Sequence, residues 1–320
     1  MSHVLALCGG VGGAKLALGL ARTLPGEDLT IIVNTGDDFE HLGLSISPDI
    51  DTVLYTLAGL ADPERGWGRA DETWRFMESL RALGGEDWFQ LGDLDLALHV
   101  ERTRRLKAGE TLSAVTAFFA ARLGVAARIA PMSDDSVRTI LRTSAGELAF
   151  QHYFVRARCA PRVDAIRFDG AATARMSPAF RNALARNDLG AIIVCPSNPY
   201  LSVDPILAVP GVREALNASA APRIAICPII GGESVKGPTA KLMQELGVSV
   251  EPASIAAHYR GLIDALVIDR TDAANAADVE REGATCVAAA TLMRREDDKI
   301  ALAHTVLEVA RGLRARDVAA

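Results

Sequence analysis

No apolar run in this chain approaches the roughly 20 residues that a membrane-crossing helix needs, because turn residues interrupt each one. The opening segment has a single His and no basic cluster before glycines stop it, so it lacks the start and the apolar core of a secretory signal. A soluble, cytoplasmic protein with no membrane partner is expected. Cysteine is scarce: Cys8, Cys159, Cys195, Cys227 and Cys286 are the only five, and none forms a C-x-x-C pair. That excludes a disulfide framework and a paired-cysteine zinc site. Cys8, Cys195 and Cys227 fall in apolar, strand-like runs and read as packing residues. Basic tracts are also missing. With 40 acidic against 34 basic side chains the net charge is -6, and nothing is long or positive enough to follow a phosphate backbone, so no nucleic acid is expected as a partner. The six histidines are dispersed without metal-ligand spacing, and no Ser or Cys sits in a nucleophile elbow. Covalent catalysis is not suggested, and His99, His152 and His258 read as structural or polar-contact residues.

What the chain does have is alternation. Short apolar runs bounded by turn residues occur at Val4 to Cys8, Leu29 to Asn34, Ala191 to Ser197, Arg223 to Ile230 and Ala265 to Arg270, the pattern of buried parallel strands. Helical patterns lie between and after them, at Lys15 to Leu24, Pro205 to Leu216, Pro238 to Leu246 and Lys299 to Leu313. This predicts an α/β fold: a Rossmann-like, doubly wound, mostly parallel sheet in three α/β/α layers. Residues 1–64 and 186–320 read as that core. The stretch 65–185 reads as a central α+β insertion, with helices at Asp71 to Leu83 and Leu112 to Leu123 and a hairpin over Thr139 to Arg156 turning near Ser144 to Gly146. No repeat or linker divides the chain, so a single body is expected, with a frayed tail from Arg314.

The motifs cluster where such strands end. "GGVGGAKL", Gly9 to Leu16, fits neither a dinucleotide fingerprint nor a Walker A loop, since Lys15 stands where the former needs Gly and Ala14 precedes it where the latter needs Gly. Glycines opening a helix still let amides, the helix dipole and Lys15 meet an anion, while the plainer reading is a tight strand-to-helix turn. Beyond the second strand, "NTGDDFEHLGLSISPDIDT" supplies Asp37, Asp38, Asp49 and Asp51. Such oxygen ligands suit Mg²⁺, although Asp49 or Asp51 could instead cap a helix starting near Asp51. "WFQLGDLDLALH" and "APMSDDSVRT" carry Asp93, Asp95, Ser133, Asp134 and Asp135, each of which could be a turn or cap residue. "CPSNPYLSVDP" places Ser197 and Asn198 at another strand's carboxyl end, and "PIIGGESVKGPTAKLM" adds Gly231, Gly232 and Lys236 in the same arrangement.

Together these blocks resemble, over nearly the whole chain, the 2-phospho-L-lactate transferase (CofD-like) family of deazaflavin coenzyme F-420 biosynthesis. The resemblance implies transfer of a phospholactyl-type group from a guanosine diphospho-conjugate to the ribityl hydroxyl of the deazaflavin Fo, with Mg²⁺ as cofactor, GMP leaving, and a homodimer as the assembly. It implies catalytic roles for Asp51, Asp38 and Lys15, Fo contacts at Asp51, Gln90, Met132, Ser133 and Asp134, and metal ligation by Asp37, Asp38 and Asp51. Nucleotide or phosphate contacts would come from Gly10, Gly12, Gly13, Lys15, Ser197, Asn198, Gly231, Gly232 and Lys236. A basic residue is common at the position of Gln90, and this chain departs from that pattern.

Two rival readings remain distinct. A related branch of the superfamily comprises non-catalytic regulators that bind nucleotide-sugars, but those carry a glycine- and serine-rich stretch after the DD pair, where this chain has "FEHLGLSISPDIDT". A nicotinamide dehydrogenase would suit the fold but lacks the fingerprint. The identity of the donor's acid (2-phospholactate, phosphoenolpyruvate or phosphoglycerate) is not encoded in any motif.

Overall fold

The computed structural model describes residues 2–319, with side chains to residue 315. Its centre is a seven-stranded sheet in the spatial order Thr285–Ala289, Ala265–Asp269, Arg223–Ile226, Leu189–Val194, His3–Cys8, Leu29–Val33 and Arg128–Pro131, with every neighbouring pair parallel. The period-2 alternation of the first strand accounts for the layering. Leu5 and Leu7 enter one buried cluster, while Val4, Ala6 and Cys8 enter another on the opposite face. The chain leaves His3–Cys8 toward one edge of the sheet, then returns to build the other half from Leu189–Val194 onward. The reversal lies between these two strands, and a crevice opens beyond their carboxyl ends.

The segment 65–185 is not one continuous insertion, because Arg128–Pro131 inside it forms the edge strand beside Leu29–Val33. Before that strand in the chain come helices Arg75–Ala82, Asp93–Lys107 and Leu112–Arg122; after it comes an antiparallel sheet of Gly146–Ala149, Arg138–Thr143 and Val163–Asp169. The expected hairpin is present as Arg138–Thr143 and Gly146–Ala149, but it ends there: His152–Arg156, expected in its second arm, forms a helical turn. The hairpin's partner Val163–Asp169, in which charged residues interrupt the apolar ones, and the sheet strand Thr285–Ala289, short and rich in small residues, were not legible. The helix expected over Pro205 to Leu216 breaks into Asp204–Leu207 and Val212–Ala218 around Pro210 and Gly211, whose φ is 82°. The run from Arg223 stops as a sheet strand at Ile226, and Ile229–Ile230 turns away to pair with Glu233–Ser234. The tail expected to fray is helical in its backbone, within Glu296–Ala319, and Ala320 lies outside the described residues. Among the described residues no helix is long and apolar enough to cross a membrane.

Helix Gly10–Thr23, which opens the crevice, packs on Glu296–Ala319 through Gly19. A Cβ at Gly19 would lie 2.1 Å from the Lys299 carbonyl oxygen, so Gly19→Ala must push the two helices apart. The expected result is a loss of about 1–3 kcal/mol in urea unfolding, with the site at the helix's other end intact. An unchanged midpoint would show that the helices separate freely.

Candidate active site

A cavity of about 570 Å³ occupies the crevice. The loop after His3–Cys8 and the loop after Leu189–Val194 are tied together on its floor: Ser197 Oγ accepts from Gly9 N at 3.1 Å and donates to Gly9 O at 2.8 Å. Asn198 caps the following turn, its Oδ1 accepting from Tyr200 and Leu201 amides at 3.0 and 3.1 Å. The glycines have different duties. A Cβ at Gly12 would sit 2.4 Å from Pro196 O, and one at Gly13 would sit 2.5 Å from Ser197 Oγ, so both are glycine because the helix starts against the neighbouring loop. Gly10, at φ 64° with nothing within 4 Å of a Cβ, is the residue whose backbone is open. Its amide, however, donates to Asp49 Oδ1 at 2.8 Å. A carboxylate thus already meets the helix N-terminus, and the amides available to a phosphate are those after Gly10, which have no intrahelical acceptor. Lys15 lines the same wall, its Nζ donating to Met293 O at 3.0 Å.

The four aspartates divide into three arrangements. Asn34 Nδ2 donates to both Asp37 Oδ1 and Asp49 Oδ2 at 2.9 Å. Burial pushes the Asp49 carboxyl up to about 6, and burial together with the Asp49 charge holds Asp37 well above the usual range. Asp38 turns the other way, into an adjoining cleft that it shares with Arg138. One of its oxygens accepts from Ser47 Oγ at 2.7 Å, while the other is buried without a partner, and burial lifts the carboxyl to about 7 against the pull of Arg138.

That shift has a sign that can be measured. Between about pH 4 and 7 the folded state keeps the Asp38 proton while the unfolded chain has lost it, so stability falls as pH rises through that window. Wild-type protein should therefore lose up to about 3 kcal/mol more than Asp38→Asn between pH 5 and 8. His3 and His41, lowered chiefly by burial, act oppositely but equally in both proteins. Parallel urea midpoints across this range would contradict the assignment.

Asp51 belongs to a closed network. Helix Pro48–Leu57 contributes Asp51 and Tyr55, and helix Asp93–Lys107 contributes Asp95, His99 and Arg102 from one face, at spacings of four and three. Arg102, 1% exposed, grips both oxygens of Asp51, with Nη1 at 3.0 Å from Oδ2 and Nη2 on Oδ1. Its Nη1 also lies 3.3 Å from His99 Nδ1. With Nδ1 accepting that arginine proton, His99 carries its own on Nε2, which faces Asp95 Oδ2 at 3.2 Å. Tyr55 donates its hydroxyl to the other Asp95 oxygen. Burial alone would raise Asp95, but His99 and Tyr55 hold it below its usual value. Asp51, Asp95 and His99 also form the one group of three with metal-ligand spacing among the described residues. The buried guanidinium and the phenol already satisfy these carboxylates, and the guanidinium's charge opposes a cation here.

Against this geometry, the comparisons with known proteins are decisive. Residues 4–306 match the family described as 2-phospho-L-lactate transferase CofD. The chain belongs to the CofD family. It is 42% identical to the phosphoenolpyruvate transferase of Streptomyces griseus, over 98% of this chain and 100% of that protein. It is 37% identical to the 2-phospho-L-lactate transferase of Methanosarcina mazei, over 94% and 98% of the two chains. A solved structure of a UPF0052-family protein from Bacillus halodurans superposes with a TM-score of 0.62 at 17% identity, covering 96% of this chain and 100% of its own, and shares the fold.

The structure sorts the contacts that CofD membership suggested. Gly10, Gly12, Lys15, Asp37, Asp51, Gln90, Ser197, Asn198 and Lys236 all line the cavity. Asp38 does not, for the reason given above, and Gly13 is buried beneath the loop. Gly231 and Gly232 form a left-handed turn outside the cavity, and the Gly231 amide is taken by Asp272 at 2.9 Å. That leaves Lys236 as this segment's contribution; its Nζ reaches Arg65 O at 3.1 Å. Met132, Ser133 and Asp134 stand apart as well. Met132 runs from its strand into the core, Ser133 turns the chain by accepting from Asp135 N at 3.0 Å, and Asp134 accepts from Ser113 N at 2.7 Å at the start of helix Leu112–Arg122. Gln90 stays on the wall, donating to Asp87 O at 2.8 Å. Arg102 was missed, although "DLALHVER" places Asp95, His99 and Arg102 on one helical face and could have drawn attention to it.

Proposed function

We propose that this CofD-family protein transfers a phospholactyl-type group from a guanosine diphospho-conjugate to the ribityl hydroxyl of Fo, releasing GMP. The observation that carries the reading is that one cavity holds both halves of such a site: Lys15, Lys236 and helix-start amides for a diphosphate, and Asp51, Phe89, Gln90 and Phe150 for a flat, hydroxylated acceptor. The names of the most similar relatives favour phosphoenolpyruvate as the donor's acid.

The acceptor oxygen attacks the phosphorus that bears the acid, the bond from that phosphorus to the GMP phosphate breaks, and the hydroxyl proton passes to a carboxylate on the wall, a role assigned here to Asp51. Lys15 and the amides take up the charge growing on the leaving GMP. Mg²⁺ fits the pair Asp37 and Asp49, whose raised carboxyls share one amide and have no cationic partner there; Asp38 and Asp51 fit less well, one facing the adjoining cleft and the other held by Arg102. When bound, the ion would neutralise diphosphate charge. The homodimer that the resemblance implies is read by sedimentation.

The test is incubation with Fo and each of the three guanosine donors, followed by mass spectrometry. A product with the mass of Fo plus the phospho-acid less one water is expected, together with GMP. Nucleotide binding without product would support the regulator reading instead, and neither would remove both.

A further inference from the structure

Arg102 touches no part of the cavity itself, yet its partners Asp51 and His99, and Asp95 beyond His99, all line it. Burying a guanidinium at 1% exposure costs several kcal/mol, and an apolar side chain of similar volume would pack a helix face at no such cost. Arginine is the residue whose planar fork fixes both oxygens of one carboxylate at once, which a lysine ammonium does not. Nη1 extends the hold to the Ser45 carbonyl at 3.3 Å and to His99, and Tyr55 closes the far end through Asp95. The carboxylate of Asp51 is thus fixed in rotation from behind.

We propose that Arg102 is the positioning residue of the acceptor side, acting only through Asp51, whose carboxylate it locks in the orientation that receives the acceptor hydroxyl. This rests on the transfer reaction proposed above. Geometry, rather than charge alone, is what Arg102 supplies, so Arg102→Lys should fold but lower kcat by about thirtyfold or more, with the affinity for guanosine diphosphate unchanged in calorimetry. Gly19→Ala, remote from the cavity and itself destabilised, should keep its kcat and so controls for loss of stability. The decisive measurement is a double-mutant cycle. If Arg102 works through Asp51, Asp51→Asn and the double variant Asp51→Asn/Arg102→Met have the same residual kcat, whereas independent roles would multiply.

Multiplied losses, or an Arg102→Lys enzyme with wild-type kcat, would overturn the positioning role while leaving the transfer reaction standing. Loss of guanosine diphosphate binding in Arg102→Lys would overturn it too, by showing that the arginine holds up the whole cavity. Absence of turnover in the wild-type protein with all three donors would remove the reaction itself.

Discussion

Stripping divalent cations is expected to lower turnover by at least about a thousandfold, and added Mg²⁺ to restore it. The reason is the charge balance of the cavity floor. Asp37 and Asp49 share the Asn34 amide at 2.9 Å each, and both carboxyls are pushed upward, first by burial. Asp49 also takes the Gly10 amide at 2.8 Å, which places negative charge at the helix end where a phosphate is otherwise welcome. A diphosphate approaching this floor meets like charge unless a cation stands between. Two carboxylates do not make a full Mg²⁺ shell, so the ion should bind weakly alone and tighten with donor, and donor should tighten with Mg²⁺ by the same factor. Calorimetric donor titration with and without Mg²⁺, with chelator controls and turnover in each condition, measures both. Asp37→Asn should raise the Mg²⁺ concentration needed for half-maximal turnover. Full turnover in excess chelator would sink the cation's role.

The parts of this site that were legible in the sequence are those whose chemistry is local. A strand ending in glycines, a helix following them and Lys15 one turn along are neighbours in the chain, and Ser197 and Asn198 declare themselves by the same strand-then-turn pattern. What the sequence hid depends on direction across space. Asp37 and Asp38 are adjacent residues of one turn, yet one faces the main cavity and the other the cleft beside it. Asp51 read as a metal ligand as one of four carboxylates clustered beyond a strand; its partner Arg102 comes from a helix 51 residues away. Gly12 lines the cavity as expected of a loop glycine, but the lack of a side chain there is required by the Pro196 carbonyl, which no local pattern shows. In the fold, apolar central strands were plain, whereas Arg128–Pro131 and Thr285–Ala289, at the two edges of the sheet, carry too few large apolar residues to stand out.

Lys15→Met is expected to weaken guanosine diphosphate by about fiftyfold or more and to lower kcat/KM by a similar or larger factor, leaving the affinity for Fo unchanged. Methionine keeps an unbranched apolar stem against the wall and removes only the ammonium. That ammonium is held by a carbonyl rather than a carboxylate, with Nζ donating to Met293 O at 3.0 Å. Burial, and then the like charges of Lys236 and Lys299, hold its pKa below the usual lysine range. Among the described residues no carboxylate pairs with this cation, and a bound phosphate would relieve both its desolvation and its repulsion from Lys236. The pKa of Lys15 should accordingly rise when the nucleotide binds, so binding should take up a proton toward alkaline pH, and Lys15→Met should abolish that uptake. Calorimetry in two buffers of different ionisation enthalpy reads the proton directly. Equal proton uptake in both proteins would move the phosphate contact to Lys236, and an equal loss of Fo and nucleotide affinity would show that Lys15 props the loop open rather than meeting the donor.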